Sequence, residues 1–248
     1  MFTKNSQAGE RAGGQPSRPR RGRPPGRTPQ GDAARERLFR VAIRQIARRG
    51  YDTATLREIA VKAGVSVGLL YRYFPSKQAV VLALYDELSA EHVERARAMP
   101  AGPWRERFLF ALRASLTTLA PQRDTLAALV PVLVGDREQG LFAPRTAFSR
   151  QRVQQVFESA VTGASDPPAQ AESLGRLLYL AHLLLLLGWL LDRSPRQRAS
   201  AALVALLERA LPLASAALRL PAAARLIRTA DALAREGLFG ERVEDEAR

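Results

Sequence analysis

The sequence predicts an all-α protein, and three observations support this. From Asp32 onward, apolar residues recur three and four positions apart, and no stretch alternates apolar with polar as a half-buried strand does. Ser, Thr and Asp stand before the periodic segments and Gly or Pro after them, the start and stop signals of helices. The 248 residues are 46% hydrophobic, enough to bury a core in one domain or two. The expected layout is an N-terminal three-helix unit with a helix-turn-helix, followed by a larger helical domain. Four segments result: a basic arm at 1–31, the helix-turn-helix unit at 32–80, the larger helical domain at 81–220 and a C-terminal extension at 221–248.

Residues 1–31 hold five prolines and six glycines without apolar periodicity, and read as a disordered arm. Asp32 is the expected N-cap of a first helix that runs to Arg49 and ends at Gly50. Leu38, Phe39, Ala42, Ile43 and Ile46 form its apolar face, and Arg37, Arg40, Arg44 and Arg48 a solvated one. The stretch "TLREIAVKAGVSVGLLYRYFPSKQAV" follows at Thr55–Val80. Thr55 and Glu58 have capping-box spacing. Gly64 ends that short helix, because a left-handed turn favours a residue without Cβ. Ser66 caps a second short helix through Phe74, and Pro75 stops it. Ser76 caps a third that continues to about Ala96. Two short helices joined by such a turn read as a helix-turn-helix. Leu70 and Phe74 point inward, leaving Val67, Gly68, Leu69, Arg72 and Tyr73 toward solvent or a ligand; Tyr71 reads as a packed core or hinge residue. Further helices are expected at Trp104–Ala120, Thr125–Val134, Arg145–Thr162, Ala169–Leu191, Gln197–Leu218 and Ala222–Arg235, divided by prolines.

The net charge is +14, and +12 of it lies in the first 78 residues. A localised excess of that kind suits a polyanion, nucleic acid ahead of an anionic membrane. There is no cysteine, which excludes disulfides and thiolate chemistry. The two histidines, His92 and His182, stand outside any nucleophile, nucleotide-binding or metal-ligand spacing. No enzyme activity, cofactor or metal is therefore expected. Residues 1–31 contain no apolar leader, which points to the cytoplasm and its nucleoid.

The segment "REIAVKAGVSVGLLYRYFPSKQAVVLAL", with the preceding "IARRGYDTATLREIA", resembles the DNA-binding core of the tetracycline-repressor family of bacterial transcriptional regulators. The resemblance is specific over about 35–88 and beyond that is one of architecture and length. It implies a homodimer that binds palindromic double-stranded operator DNA, most often as a repressor released by a small molecule. Arg57, Ser66, Val67, Gly68, Leu69, Arg72, Tyr73 and Lys77 fall on DNA-facing positions. Gly68 allows close backbone approach, Val67 or Leu69 can pack on a thymine methyl, and Arg72 can donate to guanine or to phosphate. Base-facing positions in the family often carry polar side chains, whereas Val67 and Leu69 are apolar; Arg72, Arg57 and DNA shape are then expected to carry specificity. An architectural, effector-independent DNA-binding protein is the alternative.

Two features lie outside that core. "LLYLAHLLLLLGWLL" at Leu177–Leu191 has fifteen residues without a charge, short of the roughly twenty of a membrane span. It reads as a buried helix forming a hairpin with the next one, and two hairpins make a four-helix dimer interface. Leu183, Leu186, Trp189, Leu190, Leu203 and Leu207 are its candidate residues. Trp104, Phe108, Phe142, Phe148, Tyr179 and His182 are candidates for a pocket taking a hydrophobic or amphipathic effector. In the arm, "RPRRGRPPGR" carries Arg21 and Arg23 within "RGRP", similar to an AT-hook core. Minor-groove insertion, looser phosphate contact and a passive leader are its three readings.

Overall fold

A computed structural model describes residues 29–241. Eleven α-helices and no strand occur among them. α1 (Pro29–Arg49) begins at least three residues ahead of the predicted cap, so Asp32 lies in its first turn, where a carboxylate suits the helix dipole. α2 (Leu56–Ala63) has the predicted capping box: Thr55 accepts from the Glu58 N–H and Glu58 reaches back. Gly64 follows at φ 65°, the left-handed conformation that closes the turn. α3 (Val67–Tyr73) is capped by Ser66 and α4 (Lys77–Ala96) by Ser76.

The second domain contains α5 (Trp104–Leu119), α6 (Arg123–Ala128), α7 (Val130–Gly135), α8 (Ala147–Thr162), α9 (Ala171–Leu191), α10 (Arg198–Ala217) and α11 (Pro221–Phe239). The single helix expected at Thr125–Val134 is in fact two, α6 and α7. Pro131 has no N–H to continue the ladder and instead sits in the first turn of a new helix. The last helix is longer than expected and is no appendage. Its Asp231 accepts two hydrogen bonds from Arg176 of α9, at 2.8 and 2.6 Å.

Helix ends are satisfied across the fold. Asp166, from the Pro-rich break before α9, accepts from the Trp104 N–H at the start of α5. Arg107 donates to the carbonyls of Pro100, Ser159 and Ala160, gathering the end of α8. Arg123 does the same for α9 through Trp189 and Asp192. The Asp192 carboxylate accepts from the Ser200 hydroxyl and from the Ser194 and Ser200 N–H groups. Those bonds hold its carboxyl well below the usual carboxylate range.

Two hydrophobic cores result. The first gathers α1–α3 and the first part of α4, but also Leu126 of α6, Leu129 at the junction, and Val132 and Leu133 of α7. The second is centred on Phe108, Leu112, Phe157 and Tyr179 of α5, α8 and α9. A break near residue 80 thus divides the sequence without dividing the packing, because α4 runs through both units.

Candidate nucleic-acid interface and ligand cavity

The basic surface is built on α2 and α3. Arg57, in the first turn of α2, and Arg72, in the last turn of α3, are exposed and make no ion pair with a described residue. Between them the Ser66 side chain accepts from the Leu69 N–H and fixes the start of α3. Gly68 is exposed, and a Cβ there would meet nothing within 4 Å, so a DNA backbone or base edge can approach closely. Leu69 is half-buried.

Three residues sit differently from expectation. Val67 and Tyr73 are half-buried and pack against the first core, so each offers only part of its surface. Their neighbour Tyr71, expected inside, is 51% exposed. A seven-residue helix turns 100° per residue, and Leu70 with Phe74 already fills the inner face. The Lys77 ammonium donates to the carbonyls of Tyr51 and Asp52, at 2.6 and 3.1 Å, and lies over the Tyr51 ring. In this state it ties α4 to the α1–α2 loop. Arg21 and Arg23 lie outside the described residues.

A cavity of about 450 Å³ lies between the two cores, within the range of roughly 300–1,000 Å³ typical of small-molecule sites. α4 contributes Tyr85, Leu88 and His92; α6 and α7 contribute Leu126 and Leu133; α9 contributes a long leucine-rich wall. Of the predicted pocket residues, Phe142, Tyr179 and His182 line it. Trp104 and Phe108 do not: both are core residues, 2% and 0% exposed. Nor does Phe148, which is exposed and stacks under Arg152. The predicted dimer residues also divide. Leu183, Leu186 and Leu190 face the cavity, and Trp189 is buried beneath Arg123. Leu203 is exposed and Leu207 half-buried against the second core.

The cavity floor is polar but neutral. His92 Nε2 donates to the Ala111 carbonyl at 3.1 Å, and His182 Nε2 meets the Ser115 hydroxyl at 2.8 Å. Burial lowers both pKa values, for His182 to about 3, where the nearby His92 adds to the effect. Burial likewise pushes the Tyr85 and Tyr179 phenols up. Ser89, Thr146 and Ser149 are bonded to protein carbonyls.

An exposed helix-turn-helix on a basic surface, joined by one helix to a domain with a mainly apolar cavity, defines a ligand-responsive class of DNA-binding protein. The comparisons agree. The family model "Bacterial regulatory proteins, tetR family" matches residues 38–84. The transcriptional repressor KstR of Rhodococcus jostii is 30% identical over 168 residues, 64% of this chain and 74% of that protein. Other matches are shorter; the Bacillus subtilis regulator YerO is 39% identical over 49 residues, 20% of this chain and 17% of its own length. Among solved structures, a tetR-family regulator from Streptomyces coelicolor superposes with a TM-score of 0.57 at 26% identity, covering 84% of this chain and 93% of that one. FadR from Bacillus subtilis, solved in complex with stearoyl-CoA, shares the fold with a TM-score of 0.54 at 18% identity, covering 69% and 96%. The chain belongs to the tetR family of bacterial regulatory proteins, and it is a DNA-binding transcriptional regulator.

Proposed function

We propose that the chain is a homodimeric repressor whose two α3 helices bind a palindromic operator and which releases it when an apolar small molecule fills the cavity. The observation that carries this is the span of α4. Val80, Val81 and Leu84 pack in the helix-turn-helix core, while Tyr85, Leu88 and His92 on the same helix line the cavity. α6 does the same from the other side, since Leu126 belongs to both. A ligand that favours one spacing of these helices shifts the α3 orientation by its differential affinity for the two states. The kinship with a repressor and the stearoyl-CoA held by a protein of the same fold support this reading.

The second copy is the natural occupant of the apolar face on α9 and α10. Leu184 and Leu191 on α9 and Leu203, Leu206 and Leu213 on α10 are all exposed. Both helices are long and apolar enough to cross a membrane by length and composition alone. Packing in pairs would cover the same residues in a dimer, placing two recognition helices about 34 Å apart, one turn of DNA. Arg57, Ser66, Gly68, Leu69 and Arg72 are the proposed DNA contacts on α2 and α3, with partial contributions from Val67, Tyr73 and Lys77. Arg21 and Arg23 of the arm are proposed to enter an adjacent minor groove. The protein would work in the cytoplasm, on the nucleoid, without enzymatic activity.

Selection of bound genomic fragments followed by footprinting tests this reading. A discrete palindrome is expected, with Arg72→Ala changing the base preference. Continuous coverage of the DNA would instead mark an architectural protein. Deleting residues 1–27 is expected to lower affinity and abolish any preference for flanking A·T pairs; unchanged binding would rule the arm out.

A further inference from the structure

Resting on the reading of the cavity as the effector site, we infer that its ligand is an apolar acid whose anionic head group is held by Arg150. Among the described residues Arg150 is the only charged side chain lining the cavity, whose other walls are overwhelmingly leucine and aromatic. A guanidinium in such a place normally finds a protein partner, since burying a polar group unpaired is costly. The other half-buried arginines of α5–α11 all do so: Arg105, Arg107, Arg123, Arg152, Arg176 and Arg235 each donate hydrogen bonds to protein oxygens. Arg150 donates none to any described residue, and its Nε is buried without a partner.

What Arg150 does touch is the ring of Phe239, 4.8 Å from its guanidinium carbon. Phe239 in turn packs on Phe142, with ring centroids 5.8 Å apart, and Phe142 and Leu238 line the cavity. The ring offers no oxygen, so the guanidinium's N–H groups are left for an acceptor. A carboxylate or phosphate oxygen pair matches them in a bidentate fashion. The half-buried Arg150 stands where α11 ends on the cavity, whereas the buried His92 and His182 form its uncharged floor. An amphiphile with one anionic end and an aliphatic body satisfies both ends. A neutral hydrocarbon leaves Arg150 unpaired, and a polar sugar or nucleoside has nothing to bond along the leucine wall. A free carboxylate and the phosphates carried by an acyl-CoA share this chemistry.

The test is direct binding by the full-length dimer, without DNA, of dodecanoate, dodecan-1-ol and dodecanoyl-CoA. The unmodified chain is expected to bind dodecanoate at least tenfold more tightly than the alcohol. Arg150→Met should lose at least tenfold for dodecanoate while keeping alcohol affinity within twofold; Arg150→Lys should restore part of the preference. A variant that merely loosened α11 through the Phe239 stack would weaken acid and alcohol alike, and Phe239→Leu provides that control. If dodecanoyl-CoA binds more tightly than the free acid, with the same dependence on Arg150, the anion comes from the nucleotide; if less tightly, from a free carboxylate. Equal affinity for acid and alcohol, unchanged acid binding by Arg150→Met, or no binding of any of the three overturns the proposal. Release of the selected operator fragment is scored separately. Acid binding through Arg150 that leaves the DNA complex intact would sink the effector reading alone. Release driven equally by the alcohol would sink only the acid.

Discussion

His182 is fully buried, and His92 nearly so, with ring centroids 6.4 Å apart. Both have pKa values below that of an unfolded histidine, about 6.5. The unfolded chain therefore binds more protons as pH falls through 6.5, and the folded chain does not follow until about pH 3 for His182. Their contribution to stability is fully present above pH 6.5 and is lost below it, by about 1.4 kcal/mol per pH unit for each fully neutral ring. Urea unfolding at pH 7.5 and 5.5 is expected to show a lower midpoint at the acid pH, and a smaller drop in His182→Leu. An equal drop in both chains would show that the carboxylates alone set the pH dependence. At this scale the sequence was only partly legible. The caps at Thr55, Ser66 and Ser76 were, because each is decided within four residues of chain. Arg150 was not, because an arginine is distinguished by the partners it lacks, and those come from distant helices. Tyr71 lies outside because Leu70 and Phe74 already fill the inner face of so short a helix.

Among the helices, the pairing of α8 with α9 depends on one small residue. A Cβ at Gly175 would lie 2.6 Å from the Glu158 Cα, backbone that cannot step aside. Gly175→Ala is expected to destabilise the chain by about 1–3 kcal/mol through forced separation of the two helices, read as a lower thermal midpoint. The other side of α9 is held by the Arg176–Asp231 pair, 19% and 5% exposed. Asp231→Ala leaves the half-buried Arg176 with only the longer Glu158 contact, at 3.7 Å, and is expected to cost about 1.5–3 kcal/mol. Trypsin should then cut α11 before the rest of the domain; uncut α11 would show that its apolar contacts suffice. Helix existence and order were legible from spacing and from prolines. The ion pair across 55 residues was not, and so the last helix read as an extension instead of a wall of the cavity. The rotation of α9 is not legible either: fifteen apolar residues give no polar face to orient it, and Leu183, Leu184, Leu186 and Leu190 all line the cavity, Leu184 while also exposed.

For the whole molecule, the exposed leucines of α9 and α10 form the face proposed to pair with a second copy. Leu206→Glu with Leu213→Glu places two charges on the face assigned to the second copy. Sedimentation is expected to show a monomer, with operator binding weakened by at least a hundredfold, because the second half-site is no longer bound intramolecularly. A dimer that survives both substitutions would place the interface elsewhere. The overall architecture was the most legible level of all, since charge asymmetry, helical periodicity and one motif suffice for it. The cavity is legible only in part, through Phe142, Tyr179 and His182, because it is a gap between two cores and no single segment encodes a gap.

The packing of α6 and α7 into the first core, with α4 running through both cores, has an evolutionary consequence. Regulators built from a reader and a sensor look like parts that could be recombined by joining one protein's reader to another's sensor. Here the helix-turn-helix core is completed by Leu126, Leu129, Val132 and Leu133, contributed from the second domain. A graft made at residue 80 or 96 would separate each half from side chains that fill it. New specificities in this lineage are then more readily reached by changing the outer surface of α3, or the cavity wall on α8 and α9, than by exchanging whole modules.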